Sequence, residues 1–216
     1  MGAGVLAEHR PTLPELIGGK ARWVIAGLAA VVLIPFALSF VGGAVTEVEV
    51  VQREPIEFNF RHSEAFKSVP PAGDELVRIE QQRSGRLVQG FAVAPLQLPS
   101  YEGEVGGVLP VLAEGVIDEL AGSVDQFELI EEGKARINDA AGYGIVYRGR
   151  FEGERRLYGR VVLLPEVVAE RERRRRGVRL SITATPSAGV GKATDVGARG
   201  LTKKPFRSFR FGLEGP

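Results

Sequence analysis

Residues Trp23 to Val41, WVIAGLAAVVLIPFALSFV, form an uncharged and almost wholly apolar run of 19 residues. At about 1.5 Å of rise per helical residue, such a run covers roughly 28 Å, close to the roughly 30 Å hydrocarbon thickness of a bilayer. Length and lack of charge predict a membrane-spanning helix over 23–41, anchored by Trp23, Leu28, Leu33, Pro35, Phe36 and Phe40. The rival, a buried helix of a water-soluble protein, needs a core wide enough to surround a helix that is apolar on every side. Pro35 removes one backbone hydrogen bond, which membrane helices tolerate by local adjustment, so a kink is expected there.

The flanks set the orientation, because Lys and Arg resist translocation. Arg10, Lys20 and Arg22 precede the run, while Glu47 and Glu49 follow it with no base until Arg53. This predicts a cytoplasmic tail over 1–22, a single pass, a linker over 42–55, a domain over 56–212 on the far side of a bacterial cell membrane, and a short tail over 213–216. Gly42 and Ala44 are small enough for a signal peptidase, but the apolar run exceeds the usual h-region of about 7–15 residues, so a retained anchor is expected. No Cys follows the run for lipoprotein attachment, and Leu6 stands where a myristoylation signal needs Ser or Thr.

The 28 basic and 27 acidic residues leave a net charge of +1, which gives no global drive toward nucleic acid. With Cys 0, a disulfide or thiolate metal site is excluded, so a hydrophobic core must hold the domain. The preference for Arg over Lys, with abundant Gly, Ala and Val, resembles the coding bias of GC-rich bacteria.

Beyond the apolar run the sequence alternates with period two. Val178, Leu180, Ile182 and Ala184 interleave with Arg179, Ser181, Thr183 and Thr185, the pattern of a half-buried strand. The runs Gly144–Arg150 and Leu157–Leu164 predict a hairpin around Glu152-Gly-Glu154, and Glu75–Gln82 with Arg86–Ala94 predict another around Ser84-Gly85. Phe127–Ile137 reads as a strand with a bulge or turn at Gly133. From Val108 to Ala121 the period changes: Leu109, Leu112, Val116, Ile117 and Leu120 recur at helical spacing, and Gly122 offers a stop. A short helix is expected from about Thr194 to Leu201 and a final strand over Ser208–Phe211. The order is strand, hairpin, helix, four strands, short helix, strand. It predicts an α+β domain whose antiparallel sheet is packed by one main amphipathic helix and a shorter C-terminal one.

The opening Phe58-Asn-Phe-Arg-His-Ser-Glu-Ala-Phe66 before a Pro-Pro loop, Phe127-Glu-Leu-Ile130, Ala141-Gly-Tyr-Gly-Ile-Val-Tyr147 and the closing Phe206-Arg-Ser-Phe-Arg-Phe211 resemble PsbP-like domains over about residues 56–212. That superfamily includes photosystem extrinsic subunits and the LpqN-type envelope proteins of actinobacteria. The resemblance implies an accessory or assembly role without catalysis, and in some members the binding of small amphiphiles. LpqN-type members are lipid-anchored or secreted, whereas this sequence carries a helical anchor.

Chemistry-bearing motifs are few. The two histidines are His9, on the predicted cytoplasmic side, and His62, which has no partner at catalytic spacing. Ser187-Ala-Gly-Val-Gly-Lys-Ala-Thr194 fails as a phosphate loop, because Pro186 stands where the first Gly belongs and Ala193 follows Lys192. Glu102/Glu104 and Glu131-Glu132 lie in separate segments and read as solvated. No enzyme activity, cofactor or metal site is expected. The most distinctive polar tract is Glu170-Arg-Glu-Arg-Arg-Arg-Arg-Gly177. Its Arg171, Arg173, Arg174, Arg175 and Arg176 are read either as a solvated hairpin tip or as a contact for anionic head groups, envelope polymers or an acidic protein. The expected partners are the lipid bilayer and a membrane or envelope protein. The alternative is a lipid-like ligand held between the helix at 108–121 and the sheet.

Overall fold

The computed structural model describes residues 46–99, 105–151, 155–166 and 176–213. The run 23–41, with Trp23, Leu28, Leu33, Pro35, Phe36 and Phe40, lies outside them, and among the described residues no helix is long and apolar enough to cross a membrane.

Two antiparallel sheets build the domain. The smaller has the order β1-β2-β10, from β1 (Glu47–Gln52), β2 (Phe58–Ser63) and β10 (Arg210–Phe211). The larger is formed by β3 (Lys67–Ser68), β4 (Val77–Arg83), β5 (Arg86–Gln97), β6 (Asp125–Ile137), β7 (Ala140–Phe151), β8 (Arg155–Pro165) and β9 (Arg176–Ala184), in the order β3-β4-β5-β9-β8-β7-β6. Helix α1 (Leu109–Ser123) joins β5 to β6, and α2 (Lys203–Ser208) precedes β10. This is the expected α+β class with the expected run of four strands after the main helix.

Period-two patterning places the cores. On β9, Val178, Leu180, Ile182 and Ala184 are fully buried on one face, while Arg179, Ser181 and Thr183 are half-buried on the other. The first face packs against the small sheet through aromatic rings, Phe60 of β2 lying 4.9 Å from Phe91 of β5, and beside them Phe58 lies 5.5 Å from Phe209, between α2 and β10, centroid to centroid. Fully burying each such ring stabilises the fold by roughly 1.5–3 kcal/mol. The opposite face packs against α1, with Leu109 and Ala113 meeting Leu96, Leu98, Ile145, Tyr147, Val161 and Leu163. Both cores are drawn from the compact unit Thr46–Pro216, so this unit holds its own interior, the property that lets a domain fold alone.

Several boundaries differ from the sequence reading. Glu47–Gln52, inside the expected linker over 42–55, forms β1 and pairs with β2 along its whole length. Gly122 does not stop α1, which runs to Ser123 and gives way directly to β6. Gly133 makes neither a bulge nor a turn; it pairs in register with Gly144, and the irregularities fall at Asp125/Glu128 and Leu129/Glu131. The short helix expected at 194–201 is a 3₁₀ turn at Ala193–Asp195, because Gly197 (φ 73°) and Gly200 (φ 67°) are left-handed and break a helix there. Helix α2 begins after them, with Pro205 in its first turn, where a missing N–H costs nothing. The last strand accordingly shortens to Arg210–Phe211. At Ser84-Gly85 both residues take positive φ, the two-residue hairpin turn expected. Residues 152–154, the predicted Glu-Gly-Glu connection, lie outside the described residues, although β7 and β8 pair as the hairpin predicts.

Arg160 fastens the C-terminal segment to the large sheet. Its Nη2 donates to the Thr194 carbonyl at 3.0 Å, and its guanidinium lies 5.7 Å from the centroid of the Phe206 ring. Burial pulls its pKa below the ordinary value, with the charge of Glu131 opposing.

The closest cross-strand fit is Tyr147 over Gly159, where a Cβ would come within 2.0 Å of the Tyr147 ring. Gly159→Ala is therefore expected to destabilise the domain by about 1–3 kcal/mol through overpacking. Gly115→Ala, in α1 with nothing within 4 Å of the added carbon, should stabilise it by up to about 1 kcal/mol. Thermal unfolding of residues 46–216 measures both; equal melting points for the two variants would contradict this packing.

Candidate functional site

A helix is about 10 Å wide, whereas seven strands at about 4.8 Å spacing span roughly 29 Å, so a single helix cannot cover one face of the large sheet. Helix α1 lies against β6, β7 and β8 and the end of β5, so among the described residues the strip over β4, β5 and β9 is uncovered. Along its edge runs a groove of about 330 Å³. Its floor is made of small residues in register, Ala92 beside Ser181 and Gly90 beside Thr183. Val116, Leu120 and Val124 form the helix wall, and Glu75 and Arg78 the opposite one. The small floor leaves depth, since a Cβ on Gly90 would come within 3.2 Å of Thr183 Oγ1.

Charge crosses this groove. Arg179 donates from Nη1 to Glu119 of α1 at 2.8 Å and from Nη2 to Asp74, before β4, at 3.4 Å. Both carboxylates are more than half exposed, and pairs of this kind contribute about 0.2–1 kcal/mol each, so the clasp opens readily. Arg78 donates to Glu80 at 2.7 Å and to Glu75 at 3.0 Å. Burial alone would lower its pKa, but the hydrogen bonds it donates to Glu80 and Glu75, with their negative charges, outweigh it and the pKa is raised. Such a site, with apolar walls, a small polar floor and paired charges at the rim, can bind a narrow amphiphilic chain. Among the described residues no group of three or more His, Cys, Asp and Glu side chains is placed to hold a metal.

The remaining candidates fall elsewhere. Of the basic tract, Arg171, Arg173, Arg174 and Arg175 lie outside the described residues. Arg176 starts β9 and is engaged: Nε donates to Glu166 at 2.6 Å, and Nη1 donates to the Pro55 carbonyl at 3.0 Å, which ties β9 to the turn before β2. The hydrogen bond to Glu166 raises its pKa against a smaller desolvation cost. His62 is buried, with Nδ1 2.8 Å from the Ser63 carbonyl and its ring edge-on to Phe66. Glu131 and Glu132 are exposed on β6, the outer strand of the large sheet. The tract Ser187–Thr194 is a packed turn, with Val190 and Ala193 buried and the Tyr158 hydroxyl donating to Gly191 O at 3.2 Å. The Arg179 clasp had no signal in the sequence, since its partners are 60 and 105 positions away.

No family model and no curated protein sequence matches the chain. Among solved structures it is similar to cyanobacterial PsbP (CyanoP) from Synechocystis sp., with 12% identity, a TM-score of 0.50, and coverage of 79% of this chain and 95% of that one. It is also similar to the Saccharomyces cerevisiae Ran-binding protein Mog1p, at 11% identity and a TM-score of 0.49 over 77% of this chain and 96% of that one. The likeness to CyanoP shows a PsbP-like fold and, at this identity, the fold alone.

Tyr147 closes the inner end of the groove, its ring 5.6 Å from Phe127. Burial pushes its phenol up to about 12, above the ordinary 10.0. The folded state therefore holds this proton more tightly than the unfolded chain does. Stability should be unaffected by it below pH about 10 and should fall between about 10 and 12, at up to about 1.4 kcal/mol per unit. Tyr147→Phe should remove the highest step from a spectrophotometric phenol titration and flatten that loss; an unchanged titration would contradict the burial.

Proposed function

We propose that this chain is a membrane-anchored, extracytoplasmic accessory module of the bacterial cell envelope, non-enzymatic and akin to the LpqN type of PsbP-like protein. The observation that carries the reading is the open groove beside α1, a built recess with a weak ionic clasp across it. A single-pass anchor over 23–41 would hold this recess near the membrane and raise its effective concentration for a membrane-embedded protein partner. The absence of a nucleophile and base at catalytic spacing in the sequence supports binding over catalysis.

A second reading is favoured by the same groove. At about 330 Å³ it lies at the lower end of the range of ligand pockets, and its apolar helix wall suits a lipid-like chain. Native mass spectrometry of residues 46–216 separates the two: a co-purified amphiphile that Ser181→Phe displaces supports the carrier, and a bare protein removes it.

The anchor and its orientation are tested on the full chain. Alkaline extraction should leave it with the membrane, and protease added to intact spheroplasts should digest the C-terminal domain. Release into the alkaline supernatant, or a domain cleaved only after lysis, would overturn the proposal.

A further inference from the structure

A second concave surface lies on the outer face of the small sheet. Arg61 of β2, Lys203, Lys204 and Arg207 of α2, and Arg210 of β10 surround a depression of about 470 Å³. Only Lys204 has a carboxylate within ion-pair distance among the described residues, Glu47 at 2.5 Å. Glu49 stands opposite Arg61 in the β1–β2 register. Among the described residues the five cations thus have one ion pair and one acidic cross-strand neighbour.

The backbone under these cations is clamped. Ser208 Oγ accepts from the Arg61 N–H at 2.8 Å and lies 2.8 Å from the Lys204 carbonyl, to which it donates. Asn138 Nδ2 reaches the carbonyls of Arg207 at 3.1 Å and Phe209 at 2.7 Å. Like charges held together repel, and an anionic surface relieves that repulsion. Val51, 45% exposed, shares a cross-strand row with Asn59 and Arg210, and Leu213, 40% exposed, follows β10. Exposed apolar side chains beside cations are the composition of a membrane-interface surface.

The position of the cluster along the chain names its partner. Glu47, which pairs with Lys204, follows Val41, the last residue of the apolar run, by six residues. Six residues span at most about 20 Å when fully extended. We propose that Arg61, Lys203, Lys204, Arg207 and Arg210 dock the domain on anionic head groups of the membrane that carries the anchor. The groove beside α1 is on the other face of the large sheet, so docking leaves it open to a partner. This rests on the reading of 23–41 as a retained span.

Sedimentation of residues 46–216 with phosphatidylglycerol–phosphatidylcholine vesicles tests the cluster without the anchor. The fragment should bind these vesicles, not pure phosphatidylcholine, and release as salt rises. Each cation near an anionic surface is worth roughly fivefold in partitioning, so K203S/R207S/R210S should bind at least tenfold more weakly. Lys203→Glu alone, at an exposed site, should lose at least about fivefold and covers the case in which the triple variant does not fold. Unchanged binding by these variants, no binding to anionic vesicles, or a loss that follows R173S/R174S/R175S/R176S instead would overturn the proposal. So would displacement by inorganic phosphate beyond that by chloride at equal ionic strength, which assigns a free anion. Binding to polyglutamate but not to vesicles, lost in the triple variant, would assign an acidic protein. Alkaline extraction of the full chain reports on the span alone, so failure of the anchor and failure of the cluster are distinguishable.

Discussion

One helix against a seven-stranded sheet is the constraint from which the architecture follows. Both faces of the central strands must be shielded, and the small sheet with α2 shields one of them by burying Phe58, Phe60 and Phe209. On the other face α1 reaches only part of the width, so the residues beyond its edge must tolerate water. Gly90, Ala92, Ser181 and Thr183 meet that demand: they are small or polar where β5 and β9 carry Phe91, Val93, Leu180 and Ile182 on the shielded face. The groove is thus written into two strands by alternation, and the Arg179 clasp holds α1 to the loop before β4 across it.

The two concave surfaces have different physics. The groove is apolar on its helix wall, with rim charges neutralised in pairs, and suits a narrow chain entering edgewise. The depression over α2 is cationic with little internal compensation and suits an extended anionic surface. They lie on opposite faces of the large sheet, which allows one to orient the domain while the other is occupied.

Much of this was legible in the sequence because it depends on local pattern. The alternation from Val178 to Ala184 gave β9 and its inward face, helical spacing gave α1 nearly to the residue, and Ser84-Gly85 gave its hairpin turn. What was illegible depends on distance or on glycine conformation. Gly197 and Gly200 in left-handed geometry displaced the short helix to Lys203, and the edge pairing of β1 with β2 was hidden in a stretch read as linker. Asn138 in the two-residue β6–β7 turn gave no warning that its amide would clamp the C-terminal segment. The basic cluster joins Arg61 to residues some 140 positions later, a separation no local pattern reports. Arg176 looked like one of five free cations, and its hydrogen bonds to Glu166 and Pro55 make it part of the frame.

The central claim, that the strip left open by α1 receives a partner, is tested by photo-crosslinking of the full chain in intact cells. A photoreactive residue at Ser123, exposed on the groove rim, should give one discrete adduct, which Ser181→Phe abolishes by filling the floor, while the same residue at exposed Ser187 gives none. No adduct from Ser123, or equal adducts from both positions unaffected by Ser181→Phe, would contradict the account.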